Sequence, residues 1–218
     1  MAGKFSKSSL KYQIAEEIKK MIFEGKLEQG EKITELQVSQ SLGVSRTSVR
    51  EAVLLLEQEG LLISEAYKDT RVTTISQEEV LEILIPMRLQ IETFSLKKGF
   101  EAWEEDTKSQ FKIILDDMKK ATFYEDLSTF IELDIQLHGL IVKSSGLENV
   151  VRIWESIVNR IRLHFLHQNS RSGTMEKWLD EHEELVNVLV NGNSVDEAIE
   201  ALKSHIVDTN LPDVYLLD

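Results

Sequence analysis

The chain contains no cysteine, so neither a disulfide nor a thiolate metal site can form. No apolar run approaches the ~20 residues that a helix needs to span a bilayer. The N-terminal segment lacks the apolar core of a signal peptide. By elimination, these absences predict a cytoplasmic protein with no membrane partner. There is also no internal repeat or low-complexity segment, and 218 residues suffice for one large domain or two small ones.

The acidic excess of the chain is unevenly distributed. Residues 1–76 hold 11 basic and 11 acidic side chains, so the whole net charge of −13 lies in residues 77–218. An acidic body repels phosphates and should face away from any duplex that the first part binds. The asymmetry predicts two domains with different partners. We place the boundary near Ser76, which can cap a helix beginning at residue 77 or 78.

Two short helices are predicted on either side of Gly43, because apolar residues recur there at helical spacing. Gly43 permits a tight turn, and Ser45 is a good N-cap for the second helix. The first turn and a half of that helix carries Arg46, Thr47, Ser48 and Arg50. In a helix-turn-helix, this is where side chains reach base edges in the major groove. The segment therefore predicts a DNA-reading unit.

The elements around this segment complete a winged helix. An amphipathic helix is predicted at residues 8–24, before the helix-turn-helix. Two short strands are predicted at residues 61–64 and 71–75, the second of them rich in β-branched residues. Three helices followed by a β-hairpin form a winged helix, in which the hairpin is the wing.

Residues 77–218 show only helical periodicity, so the chain is predicted to be mostly α. Six helices are predicted, at residues 77–98, 102–121, 124–144, 147–168, 174–191 and 194–208. Pro86 should kink the first of these or mark its true start. The C-terminal domain is therefore expected to be an all-α six-helix bundle.

Four polar residues interrupt the apolar faces of these helices. Asp134 and His138 are four positions apart and share the apolar face of the third helix. His182 and His205 lie on the apolar faces of the fifth and sixth helices. Burying each alone would cost a few kcal/mol, and a divalent zinc, nickel or manganese ion would satisfy all four. The alternative is a set of hydrogen bonds between neighbours, such as Asp134 with His138.

Two arginines of the second domain are candidate ligand-binding residues. Arg88 points inward, and a buried guanidinium needs an anion that it can bind in a bidentate way. That anion is either an acidic ligand or Glu92, one turn along the same helix. Arg160 lies beside the apolar face of the fourth helix, where it either lines a pocket or faces solvent.

Several of these segments resemble GntR-family transcription regulators of the FadR/FCD subfamily. Residues 25–33 and 42–53 are similar to the family's segment before the helix-turn-helix and to its most specific signature. Residues 88–92 resemble the start of the FCD ligand domain, and residues 134–138 resemble its Asp-x-x-x-His motif. Six helices rather than seven indicate the shorter, VanR-like variant.

The resemblance implies a homodimer that binds a double-stranded DNA operator, a short inverted repeat. It implies that a small carboxylic acid, bound near the metal, changes the affinity for the operator. In the mechanism that we predict, the metal and Arg88 hold the carboxylate of this effector. The implied DNA contacts are Arg46, Thr47, Ser48 and Arg50, and the implied metal ligands are Asp134, His138, His182 and His205. The wing tip lacks the family's usual glycine, so Lys68 and Arg71 are the wing residues expected to contact DNA electrostatically.

The function predicted from these observations is a ligand-responsive repressor of a metabolic operon. One alternative is a metal-dependent hydrolase or lyase fused to a DNA-binding head, because an open metal site can activate water. Against an enzyme, no apolar face offers a further well-placed general base and the His-Glu-x-x-His motif is absent. The other alternative is a metal sensor, in which the ion itself is the signal.

Overall fold

The computed structural model describes residues 7–64, 69–168, 174–192 and 194–210. The chain divides into two compact units, Met1–Ile75 and Ser76–Asp218. Among the described residues, no helix is long and apolar enough to cross a membrane.

The first unit has three helices and a small antiparallel sheet. Its elements are α1 (Lys7–Phe23), β1 (Lys32–Ile33), α2 (Glu35–Leu42), α3 (Arg46–Gln58), β2 (Leu62–Ser64) and β3 (Thr70–Val72). Strand β3 lies between β1 and β2. This is the predicted winged helix, with one difference. Strand β1 was not predicted, because two residues are too few to show an alternating pattern. It is recognised as a strand by its antiparallel pairing with β3, in which Lys32 lies opposite Arg71.

Local capping fixes the turn between α2 and α3. Gly43 has a φ of 66°, in the left-handed region that glycine adopts without strain, and its N–H donates to the Ser39 carbonyl at the end of α2. The Ser45 side chain accepts a hydrogen bond from the Ser48 backbone N–H at the start of α3. The helices enclose a core whose fully buried members include Ile18, Val49, Leu56 and Leu61. The front of α3 is thereby held at the surface.

The second unit is all-α in its described residues. Its helices are α4 (Gln77–Glu79), α5 (Ile85–Gly99), α6 (Glu105–Phe123), α7 (Leu127–Lys143), α8 (Glu148–Gln168), α9 (Met175–Asn191) and α10 (Val195–Asn210). A π-helical turn, Val80–Leu84, joins α4 to α5, and a 3₁₀ turn, Phe100–Ala102, follows α5. The π turn ends two residues before Pro86. Because proline lacks an N–H, the ladder of hydrogen bonds is interrupted here, and the Ile85 N–H reaches back five residues to the Val80 carbonyl.

Helix α7 is the most enclosed element of the bundle. It packs against α5, α6 and α8, while α10 packs against α5 and α9. Ten of its 17 residues are buried, so polar positions as well as apolar ones face the interior. This position buries two polar residues of α7, Asp134 and His138, among the neighbouring helices.

Candidate metal centre and nucleic-acid interface

Two arginines at the front of α3 project from the first unit. The side chains of Arg46 and Arg50 are each 64% exposed. Thr47 between them is also exposed, and Ser48 is half-buried with its hydroxyl 2.9 Å from that of Ser45. The side chains predicted to contact bases thus lie on one accessible end of a helix. This geometry suits insertion into a major groove.

Glu35 on α2 holds both arginines. Its carboxylate accepts two hydrogen bonds from Arg50, at 2.7 Å from Nε and 3.0 Å from Nη2. Nη2 of Arg46 lies 3.5 Å from the same carboxylate. Hydrogen bonds from Arg50 and the charges of both arginines outweigh desolvation and lower the pKa of Glu35. Sequence reasoning missed this residue, because its partner is 15 positions away.

Of the two predicted wing residues, the structure describes only Arg71. Arg71 on β3 is half-exposed; it donates a 2.8 Å hydrogen bond to the Gly30 carbonyl and lies 3.8 Å from a carboxylate oxygen of Asp69. Lys68 lies outside the described residues. A DNA contact by either residue stays a prediction.

In the second unit, the four predicted metal ligands come together. Asp134 and His138 on α7, His182 on α9 and His205 on α10 each offer one ligand atom, and these atoms all lie within 4.8 Å of one another. All four side chains are buried, with at most 6% of the residue exposed. We call this group the four-residue cluster.

Hydrogen bonds on the outer side of the four-residue cluster define which ring nitrogens carry protons. Nδ1 of His138 lies 2.5 Å from the Glu92 carboxylate, and Nδ1 of His182 lies 2.7 Å from the Trp178 carbonyl oxygen. A carboxylate and a carbonyl only accept hydrogen bonds, so both Nδ1 atoms are donors. In a neutral imidazole, the Nε2 lone pair is then directed into the cluster.

These inward atoms lie close to further polar atoms. Nε2 of His182 lies 2.9 Å from Oδ1 of Asp134, and Nε2 of His138 lies 3.2 Å from Nε2 of His205. Each of these two pairs can be joined either by a shared proton, as a hydrogen bond, or by a cation between the two atoms. Asp134 Oδ2 and His205 Nδ1 are buried and make no hydrogen bond to the described residues. Three imidazole nitrogens and one carboxylate oxygen are a donor set that fits a divalent transition metal.

Two members of the cluster, Asp134 and His205, have shifted pKa values. Burial alone raises the pKa of Asp134, but the attraction of His138 and Arg88 outweighs it, so the pKa lies far below the usual value. Burial lowers the pKa of His205 well below its usual value, and the neighbouring histidines lower it further. Asp134 is therefore ionised and His205 neutral, which are the forms that ligate metals.

Glu92 on α5 extends the cluster outward. It is fully buried, and besides His138 it accepts a 2.7 Å hydrogen bond from Nε of Arg88. Burial raises its pKa, but the charges and hydrogen bonds of His138 and Arg88 lower it below the usual value. Sequence reasoning identified Glu92 only as a partner for Arg88. Its contact with His138 spans 46 positions and leaves no local signal.

The two predicted ligand-binding arginines have different surroundings. Arg88 is buried against Glu92, as the structural alternative proposed, yet its Nη2 makes no hydrogen bond and lies 3.8 Å from Oδ2 of Asp134. The Arg88 guanidinium also lies 5.5 Å from the ring centre of Phe165. Arg160 on α8 is half-buried and donates to the Ser156 carbonyl of its own helix. The structure brings Arg88, but not Arg160, to the cluster.

The first unit presents a recognition helix, and the second buries a cluster suited to a metal; together they define a transcription regulator with a DNA-reading head and a helical second domain. The chain belongs to the GntR family. The family model for bacterial regulatory proteins of the gntR family matches residues 10–72, and the FCD domain model matches residues 82–208. The helical unit is thus an FCD domain, and the chain is a transcription regulator rather than an enzyme.

Known relatives agree with this assignment. The chain is 28% identical to the HTH-type transcriptional regulator YdhC of Bacillus subtilis, over 89% of this chain and 85% of that one. It is 27% identical to the gluconate operon transcriptional repressor of Bacillus licheniformis, over 82% and 74%. The fold is similar to that of a GntR transcriptional regulator from Rhodococcus sp. RHA1, with a TM-score of 0.79, 22% identity and coverage of 93% and 96%.

Proposed function

We propose that this regulator is a repressor that binds a short inverted repeat of double-stranded DNA as a homodimer. We further propose that a small carboxylic acid, bound beside a divalent metal in the FCD domain, changes its affinity for the operator. The observation that carries the metal part is the convergence of four buried ligand atoms, from Asp134, His138, His182 and His205, within 4.8 Å of one another. A divalent cation among them would take three imidazole nitrogens and one carboxylate oxygen as ligands.

The residues proposed to bind DNA lie in the first unit, and those proposed to bind metal and effector lie in the second unit. Arg46, Thr47, Ser48 and Arg50 would contact bases and phosphates, with Arg71 and Lys68 supporting them from the wing. In the FCD domain, Asp134, His138, His182 and His205 would hold zinc, nickel or manganese. Arg88 would bind the effector carboxylate through Nη2, which makes no hydrogen bond within the described structure. Arg160 is the second residue proposed to bind the effector carboxylate.

An effector can act on the operator only if it binds the two states of the regulator with different affinity. A carboxylate that joins the cluster would touch residues of α5, α7, α9 and α10 at once, because these helices carry the cluster and Arg88. Such a ligand can favour one packing of the bundle over another. The acid class is supported by a relative that is named for the gluconate operon.

Metal binding is tested by elemental analysis of the purified protein. The wild type should contain about one divalent ion per chain, and His138→Ala should lose it. His164→Ala is the matched control, because His164 is a half-buried histidine of α8 outside the cluster. Full metal content in His138→Ala would refute the site, and the hydrogen-bonded alternative would then hold.

DNA reading is tested by selecting genomic fragments with the purified protein and sequencing them. An enriched inverted repeat, bound by two chains, would support the repressor and its dimer. Arg50→Ala should abolish this binding, whereas Arg152→Ala, at an exposed arginine of α8, should not. If the affinity for the operator changes with the concentration of free metal in the absence of any organic acid, the protein is a metal sensor instead.

A further inference from the structure

An exposed apolar side chain lies at the start of the helix that precedes α3. Leu36, the second residue of α2, is 51% exposed, whereas Ile33 and Val38 on either side of it are 5% and 6% exposed. The core of the first unit therefore does not account for a leucine at this position. Because apolar surface in contact with water is unfavourable, this side chain is stabilised by a partner that covers it.

The two neighbours of Leu36 have side chains that are already engaged. The Glu35 carboxylate accepts hydrogen bonds from Arg50 at 2.7 and 3.0 Å, and it lies 3.5 Å from Nη2 of Arg46. The Gln37 side chain accepts a 2.7 Å hydrogen bond from the N-cap hydroxyl of α2. The contacts of Glu35 tie the first turn of α2 to the exposed front of α3. Leu36 directly follows Glu35, and so it lies at the edge of the surface that carries both arginines.

The chemistry of leucine restricts what this residue can contact on a duplex. Its side chain has no donor or acceptor, so it forms hydrogen bonds neither with a phosphate nor with the nitrogen and oxygen atoms of a base edge. In the major groove, the apolar group that distinguishes one base pair from another is the C5-methyl group of thymine. A sequence-dependent contact of Leu36 is therefore a contact with thymine. Arg46 and Arg50, in contrast, are suited to guanine and to phosphate.

We propose that Leu36 is a specificity-determining residue, which contacts the C5-methyl group of one thymine in each half-site of the operator. This thymine lies beside the nucleotides that Arg46 and Arg50 contact, because Leu36 follows the carboxylate that both arginines meet. The proposal rests on the proposed DNA reading by the front of α3. It adds a base preference that comes from α2 and depends on an apolar contact rather than on hydrogen bonds.

Replacement of thymine by deoxyuridine tests this contact, because it removes only the methyl group. The thymines of the duplex that the genomic selection retains most strongly are replaced one at a time, and the affinity of the full-length protein for each duplex is measured. One replacement in a half-site should weaken binding about fourfold, the effect of exposing one buried methyl group. If no replacement changes the affinity, the proposal is overturned, whereas DNA reading stands because the unmodified duplex is bound. If the protein retains no duplex at all, DNA reading fails and this proposal fails with it.

A pair of leucine variants assigns the methyl contact to one residue. In Leu36→Ala, the loss caused by deoxyuridine should disappear, because the alanine side chain ends before the position of the leucine methyl groups. Leu54→Ala is the matched control, at a leucine of α3 that is 54% exposed, and it should keep the loss of about fourfold. Both side chains are exposed, so both variants should fold as the wild type does. An undiminished loss in Leu36→Ala, or a loss that disappears in Leu54→Ala instead, overturns the proposal, because another residue then contacts the methyl group.

Discussion

Glu92 accepts a hydrogen bond from Nδ1 of His138 at 2.5 Å, in a place where both side chains are fully buried. A carboxylate behind a metal-binding histidine holds the ring in one orientation and keeps its other nitrogen available for the ion. The same carboxylate neutralises Arg88. Glu92 is thus a positioning residue for both the proposed metal and the proposed acid.

Glu92→Gln should weaken metal binding by about 10- to 100-fold. The amide removes the charge that polarises His138, and it cannot accept hydrogen bonds from both His138 and Arg88 as a carboxylate does. The measurement is zinc affinity by competition with a chelator. Glu132→Gln, at an exposed position of α7, is the control that should keep full affinity. Equal zinc affinity in both variants would contradict a positioning role, whatever the change in melting temperature.

Glu35→Gln should reduce discrimination between operator and scrambled DNA by about tenfold. The carboxylate fixes the guanidinium of Arg50 through two hydrogen bonds, and its negative charge opposes unspecific attraction to phosphates. The measurement is affinity for both duplexes at two salt concentrations. Glu16→Gln on α1 removes the same charge at an exposed site of the same unit. If it lowers discrimination equally, net charge rather than the Arg50 contact is responsible.

Asp126 should make a pH-dependent contribution to the stability of α7. Its carboxylate caps this helix by accepting hydrogen bonds from the Thr129 backbone N–H at 3.0 Å and hydroxyl at 2.7 Å. The backbone hydrogen bond, followed by the hydroxyl, lowers the pKa of Asp126. A lowered folded-state pKa means that the added stability is present above the ordinary aspartate pKa of about 4 and is lost as the pH falls through the lower, folded value.

Asp126→Ala should therefore cost about 1 kcal/mol of unfolding free energy at pH 7, and this cost should shrink below about pH 4. Denaturant unfolding at a series of pH values measures the difference from wild type. Asp126→Asn is the control, because asparagine caps a helix without titrating. A cost for the alanine variant that stays constant down to pH 3 would show that the charge contributes nothing.

Gly99→Ala should lower the unfolding free energy of the FCD domain by ~1–3 kcal/mol, the usual cost of adding atoms to a well-packed core. A Cβ at Gly99 would overlap the backbone carbonyl and the hydroxyl of Ser144, and backbone cannot yield as a side-chain tip does. Gly139→Ala is the matched change within α7, where the nearest atom, Nε1 of Trp154, would lie at an ordinary 3.6 Å. Thermal unfolding should show a large loss for Gly99→Ala and little change or a small gain for Gly139→Ala. Similar melting temperatures would contradict this packing account.

Much of this protein follows from local pattern. The helical spacing of apolar residues, the turn at Gly43 and the cap at Ser45 predict the winged helix from adjacent positions alone. The all-α character of the second unit follows in the same way. Asp134 and His138 were predicted to share a face because a helix repeats every 3.6 residues. Strand β1 was not predicted, because its two residues form a strand only by pairing with β3.

Tertiary packing decided the rest, because side chains distant in sequence meet only when helices dock. The sequence placed His182 and His205 on apolar faces, but the packing of α9 and α10 brought their ring nitrogens to Asp134 and His138. Glu35 meets Arg50 across 15 positions, and Glu92 meets His138 across 46. Periodicity describes which way a residue faces along its own helix. Periodicity carries no information about which other helix that face packs against. The contacts of this site, between α5, α7, α9 and α10, are all contacts of that second kind.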